Sequence, residues 1–165
     1  ENFKLALAAD FALEGVFFYN GFNYFYQLAS RNKAVGTSKI IKYIDNDEVT
    51  HVNFIANMIR EVFDLSSDSD KSMLTSVLME AAEDEIKWAK SVYGNRILGI
   101  SEQSSEEYIK YLVNQRAKVV GLGVIYRGFN KNPYAHLDAQ KRENFFETTV
   151  TEYSQSASVD GWDDF

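Results

Sequence analysis

Apolar side chains recur every three or four residues through most of this chain, and this spacing predicts amphipathic α-helices. Polar linkers separate the periodic segments, and we expect Thr37 or Ser38 to cap the second helix and Ser105 the fourth. The predicted helices cover approximately residues 2–30, 37–63, 71–93 and 105–126. The fold class is therefore all-α, with antiparallel helices in residues 1–127 and an extended arm and acidic tail in residues 128–165.

The composition restricts the chemistry that is available. The chain has no cysteine and two histidines, His51 and His136, so a thiolate nucleophile and a zinc–thiolate site are excluded. Any metal site must depend mainly on carboxylates. The net charge of −7 argues against nucleic acid as a partner. Residues 147–165 alone carry five acidic and no basic side chains.

The N-terminal sequence bears on location and processing. It has no basic region typical of a signal peptide, and Asp10 and Glu14 interrupt its apolar stretch, so we expect no membrane span. A cytoplasmic location is the corresponding expectation. The chain begins without methionine and inside a predicted helix, which suggests a processed, split or truncated product.

Three polar side chains lie on apolar helical stripes, where an unpaired charge is costly. Glu14 shares a stripe with Phe11 and Phe18 in the first helix, and Glu48 and His51 share a stripe of isoleucines in the second. Because Glu48 and His51 are three residues apart, they are neighbours on the helix surface and can reach one ion.

The loop between the first two helices sets the relative height of these side chains. The chain position midway between Glu14 and Glu48 falls inside the polar linker at residues 30–36, so an antiparallel hairpin brings them level. One glutamate on one helix and Glu-x-x-His on its neighbour form half of the di-metal site of a ferritin-like bundle. Such ligands suit iron or manganese.

Simpler interpretations exist for each residue taken alone. A Glu-x-x-His pair is common on helices, and Glu14 alone could form a salt bridge; the coincidence of all three favours a metal site. Asp47 could accept a hydrogen bond from a ligand histidine, although a solvated helix residue is the simpler interpretation. His136 is expected at the surface.

Several stretches resemble the small, radical-generating subunit of class I ribonucleotide reductase. They are LEGVFFY at 13–19, IDNDEVTH at 44–51, NQRAKVVGL at 114–122, NFFE with VTEY at 144–153, and WDDF at 162–165. The resemblance extends over essentially the whole chain but matches only the C-terminal half of that subunit. One turn after His51 comes Ile55 and not tyrosine, so the match is to the second of the family's two ligand sets.

The resemblance implies roles for individual residues of the helical body. Glu14, Glu48 and His51 would bind a di-metal centre, with iron the first choice and manganese or a mixed pair as alternatives. Asp47 would orient the ligand histidine and connect the site to the radical path. The apolar wall that keeps water from the metals would consist of Phe18, Phe22 and Ile44.

The resemblance also implies roles for the acidic tail. Tyr153 would relay the radical across the subunit interface. Trp162 and Phe165 would be the apolar anchors with which residues 154–165 dock on the large catalytic subunit.

The implied function is that of part of a ribonucleoside-diphosphate reductase, an oxidoreductase. The chain would help to generate or store the radical with which the large subunit reduces ribonucleotides to deoxyribonucleotides. The N-terminal half of the small subunit, as a separate chain, would supply the missing helices within a dimeric small-subunit assembly. Two other hypotheses are a ferritin-like di-iron homodimer for iron storage or peroxide detoxification, and a metal-free interaction module whose carboxylates pair with a basic partner.

Overall fold

A computed structural model describes residues 1–137, and this part of the chain is helical as predicted. Its α-helices are α1 (Asn2–Ala12), α2 (Tyr19–Ala29), α3 (Val35–Val62), α4 (Asp68–Val92) and α5 (Glu102–Val119). A π-helical segment, Leu13–Phe17, joins α1 to α2, and a short 3₁₀ turn spans Ala135–Leu137. The predictions for Tyr153, Trp162 and Phe165 concern residues outside the described part of the chain.

Two predicted helix starts are wrong, since both helices begin earlier in the chain than the proposed capping residues. Helix α3 already begins at Val35, after Ala34 in a left-handed conformation. Helix α5 begins after Ser101, whose hydroxyl accepts a hydrogen bond from the Ser104 amide at 3.0 Å. The Ser104 hydroxyl accepts one from the Ser101 amide at 2.9 Å, which completes a capping box.

The end of α5 also differs from the prediction. The helix stops at Val119, shortly before Gly121, whose φ of +89° lies in the left-handed region that favours glycine. The apolar residues that follow form an irregular segment, and Asn114 holds this segment against the helix. The Asn114 side chain accepts hydrogen bonds from the amides of Ile125 and Tyr126 and donates to the carbonyls of Tyr126 and Phe129.

The core lies around α1 and α2: both helices contact α3, α1 also contacts α4, and α2 also contacts α5. The largest fully buried side chains include Tyr26, Tyr134, Phe11, Ile59, Leu74 and Leu78. Tyr134 and Leu137 belong to the arm, so the first residues of the arm pack onto the helical body. Within residues 1–137, no helix combines the length and the apolar character that crossing a membrane requires.

One face of the α1–α3 hairpin is apolar and uncovered by the described residues. The sequence pattern places Ile40 and Ile44 on an apolar stripe of α3, and within residues 1–137 this stripe is uncovered, since the two side chains are 62% and 39% exposed. Among the described elements, α4 and α5 pack mainly on each other and α4 also packs on α1, whereas α3 packs on α1, the π-helical segment and α2. Phe3 and Phe54, which line one groove, are also exposed, at 59% and 65%.

Candidate metal centre

Glu14, Glu48 and His51 converge at the middle of the helical hairpin. Glu14 lies in the π-helical segment, and Glu48 and His51 lie one turn apart on α3. The His51 Nδ1 atom is 3.3 Å from Glu14 Oε2 and 3.1 Å from Glu48 Oε2. One potential ligand atom from each residue falls within 4.8 Å of the others. The folded linker thus brings the three side chains together, as the loop position predicted.

The π-helical segment around Glu14 was not predicted. Such segments are rare, usually cover a single turn, and are frequent at functional sites. The sequence signal is Gly15, since glycine inside a helix costs about 1 kcal/mol relative to alanine. A regular α-helix does not require glycine at that position, so Gly15 indicates that the backbone there departs from regular α-helical geometry.

The electrostatics of the cluster are those of two carboxyl groups that share one site. Burial raises the pKa of Glu48, and the adjacent Glu14 carboxyl raises it further. The hydrogen bond from Glu48 lowers the pKa of Glu14. Hydrogen bonds to Glu48 and Glu14 raise the pKa of His51. Each group is therefore perturbed mainly by the other two or by burial, which is typical of functional clusters.

The site opens onto a groove on the uncovered face of the hairpin. The Glu48 side chain is 12% exposed and the His51 side chain is 54% exposed. The groove has a volume of about 690 Å³. Its lining residues are Phe3, Ala6, Leu7, Asp10, Glu14, His51, Phe54, Ile55 and Met58.

The other residues predicted around the site differ in their exposure. Phe18 and Phe22 follow Glu14 at four-residue steps, and their rings stack with centroids 6.3 Å apart. Phe22 is buried, whereas Phe18 and Ile44 are partly exposed on the open face. Asp47 is exposed on α3, while the His51 Nδ1 atom is directed at the two glutamates.

Sequence reasoning missed two polar contacts that flank the cluster. The buried Tyr26 hydroxyl donates to Asp45 Oδ2 at 2.8 Å, which connects α2 to α3 one turn from Glu48. The Arg116 guanidinium lies over the Tyr19 ring, 4.6 Å from its centroid. Burial raises the pKa of Tyr19 to about 12. Residue spacing in the sequence predicts neither contact, because each joins side chains from different helices that meet only in the folded protein.

The donor set of the cluster fits a divalent transition metal. Two carboxylates and one imidazole are ligands that iron and manganese accept. A cation between the two carboxyl groups would also offset the repulsion that arises when both are ionised. In a ferritin-like bundle, a di-metal site takes a Glu from each of two helices and a Glu-x-x-His from each of two others. Here Glu14 is the single Glu of one helix, and Glu48 and His51 are the Glu-x-x-His of another. Together they make up half of that ligand set.

The family model described as "Ribonucleotide reductase, small chain" matches residues 1–133. The ribonucleoside-diphosphate reductase subunit beta of Halalkalibacterium halodurans is 32% identical, over 99% of this chain and 50% of the relative. The subunit beta of Treponema pallidum is 32% identical, over 94% of this chain and 47% of the relative. The chain thus spans about half the length of these relatives.

Solved structures that resemble this chain are also ribonucleotide reductases. A crystal structure of a putative class I ribonucleotide reductase from Bacillus halodurans superposes with a TM-score of 0.79 at 34% identity, covering 84% of this chain and 51% of that one. The ribonucleotide reductase R2 subunit of Clostridium botulinum also gives 0.79, at 37% identity, covering 84% of this chain and 45% of that one. With the family model covering most of its length, this chain belongs to the small-chain family of ribonucleotide reductases.

Proposed function

We propose that this chain supplies half of a di-metal centre in the small subunit of a ribonucleoside-diphosphate reductase. The subunit would generate or store the radical with which a large subunit reduces ribonucleotides to deoxyribonucleotides. The observation that carries the proposal is the convergence of Glu14, Glu48 and His51 in a chain of this family. The ferritin-like storage homodimer is not favoured, since the relatives are named as reductase subunits.

In this proposal Glu14, Glu48 and His51 hold the metals. Bound iron or manganese would supply the redox chemistry, by reaction with dioxygen, that produces a protein radical. Asp47 is proposed to orient the ligand histidine and to connect the site with the radical path. The proposed apolar wall, which lowers the access of water to the oxidising site, consists of Phe18, Phe22 and Ile44.

The open groove is proposed to receive a companion pair of helices that carries the complementary ligands. The groove is continuous with the site, because Glu14 and His51 form part of its lining. Its rim exposes large apolar side chains such as Phe3 and Phe54, and exposed apolar patches of this kind mark interaction sites. The companion corresponds to the half of the relatives that this chain does not span. It would be the N-terminal half of the small subunit, present as a separate chain or as part of a longer one.

The remaining partner assignments follow from the family resemblance. The helical body in residues 1–127 would belong to a dimeric small-subunit assembly. The arm and tail in residues 128–165 would reach the large subunit. There Tyr153 would relay the radical, and Trp162 and Phe165 would anchor the tail.

Native mass spectrometry and metal analysis of the purified assembly test this proposal. We expect two metal ions for each copy of this chain, and a companion polypeptide segment in the same particle. Glu48→Gln and His51→Ala should lose most of the metal, whereas Glu80→Gln, an exposed carboxylate on α4, should retain it.

Other outcomes would overturn the proposal in distinct ways. A particle made only of this chain, with one di-metal site for every two copies, would support the storage homodimer. A metal content that Glu48→Gln leaves unchanged would support a metal-free interaction module.

A further inference from the structure

Arg116 reaches from α5 to the backbone beside Glu14. Its Nε–H donates a hydrogen bond to the Gly15 carbonyl at 2.8 Å. Its guanidinium also covers the ring of Tyr19, 4.6 Å from the centroid. One side chain therefore contacts the π-helical segment at the residue after Glu14 and the α-helix just beyond it.

The absence of a side chain at Gly15 makes this contact possible. A Cβ atom built at Gly15 would lie 3.2 Å from Arg116 Nε and 3.3 Å from Arg116 Cδ, closer than ordinary van der Waals contact. Gly15 is itself buried, and its carbonyl receives a charge-assisted hydrogen bond, which is stronger than a neutral one. Arg116 can therefore approach the Gly15 carbonyl because residue 15 has no side chain.

The location of this pair gives it a consequence for the metal cluster. A change from π-helical to α-helical hydrogen bonding rotates the residues before the segment relative to those after it. Glu14 would then lose its alignment with Glu48 on α3 and with Phe18, the residue between the segment and α2. The Arg116 hydrogen bond comes from a different helix, so it can hold the segment without depending on the segment's own backbone geometry.

We infer that Arg116 is a positioning residue that holds the π-helical segment and thereby directs the Glu14 carboxylate at Glu48 and His51. This inference rests on the proposed function of Glu14 as a metal ligand. Arg116 acts on the cluster indirectly, through the Gly15 carbonyl. Substitutions of residues that orient metal ligands typically weaken metal binding by about 10–100-fold.

The first test is Co²⁺ binding to the full chain, or to its complex where a companion co-purifies. Affinity and the visible ligand-field spectrum are compared in wild type, Arg116→Met, Arg116→Lys and Arg60→Met. Arg60 is the matched control, because its Nε also donates to a backbone carbonyl of another helix, that of Val119 at 3.0 Å. All measurements are made at a temperature where circular dichroism shows each variant to be fully folded.

We expect Arg116→Met to bind Co²⁺ about tenfold more weakly or worse, with a changed spectrum. Arg116→Lys should recover part of the affinity, since its ammonium can still donate to the Gly15 carbonyl. Arg60→Met should match the wild type in both readouts. If Arg116→Met also matches the wild type, the positioning role is wrong. A purely structural role would lower the melting temperature while leaving the Co²⁺ spectrum unchanged.

The second test does not depend on metal. Amide hydrogen exchange across residues 13–19 should become faster in Arg116→Met and in Gly15→Ala, with α4 unchanged. The double variant should exchange no faster than Arg116→Met, because the added methyl group no longer meets the arginine. Additive effects of the two substitutions, or unchanged exchange in Arg116→Met, would overturn the inference.

The two tests separate this inference from the proposed function. If the wild-type protein binds no Co²⁺, the proposed function fails, and the exchange measurement alone decides whether Arg116 holds the segment.

Discussion

Glu85 is a carboxyl group that the fold buries, and within residues 1–137 its Oε1 atom has no hydrogen-bond partner. It lies on α4 with 3% exposure. Burial raises its pKa from the ordinary 4.5 to about 8. Burying a carboxylate without a partner is costly, so the folded protein favours the protonated form. Stability should therefore depend on pH through this residue.

The sign of the effect follows from proton binding. Between pH 4.5 and about 8, the folded state retains a proton on Glu85 that the unfolded state has released. The free energy of unfolding consequently falls as pH rises through this window, and the full penalty is present above it. Since each pKa unit corresponds to about 1.4 kcal/mol, the penalty is on the order of 5 kcal/mol at most.

Urea unfolding of wild type and Glu85→Gln at pH 5 and pH 8.5 measures this penalty. Glutamine has nearly the same shape and stays neutral, so the variant should gain several kcal/mol over wild type at pH 8.5 and little at pH 5. Glu80→Gln, exposed on the same helix, should show no such difference. If Glu85→Gln and wild type lose stability in parallel between the two pH values, the reasoning about this buried group is refuted.

Three further substitutions test other parts of the account by urea unfolding. Hydrogen bonds from Lys4 and from the Asp64 amide lower the pKa of Asp70. Asp70→Asn should therefore lower the free energy of unfolding at pH 7, and by less as the pH falls below about 4. An equal loss of stability at pH 7 and below about pH 4 would contradict this. Gly99→Ala should cost clearly more than Gly123→Ala, because both have a φ of +87° but only at Gly99 would the Cβ meet another side chain, at 2.7 Å. Asn114→Ala should cost about 2–4 kcal/mol, since it removes four hydrogen bonds to the segment after α5; a cost below 1 kcal/mol would mean that this segment is held by other contacts.

The convergence of the cluster was predictable because it depends on short-range rules. The helical period determines which residues share a face of a helix. The position of the loop determines which residues of the two antiparallel helices lie at the same level. These two rules are sufficient to bring Glu14, Glu48 and His51 together. Family resemblance then added the roles that geometry alone left open.

The parts that sequence reasoning missed depend on tertiary contacts. The π-helical segment contacts Arg116 on a helix about a hundred residues away, and no local sequence pattern indicates that contact. The exposure of Ile40 and Ile44 depends on which elements pack against α3. Periodicity identifies an apolar stripe but not the element that covers it.

Anomalous X-ray scattering from crystals of the assembled protein, collected at the iron and manganese absorption edges, tests whether the three converging side chains hold metal. We expect two neighbouring peaks within coordination distance of the Glu14, Glu48 and His51 side chains, with the groove covered by a companion helix pair. An assembled, radical-competent protein without anomalous density at these three residues would contradict this expectation.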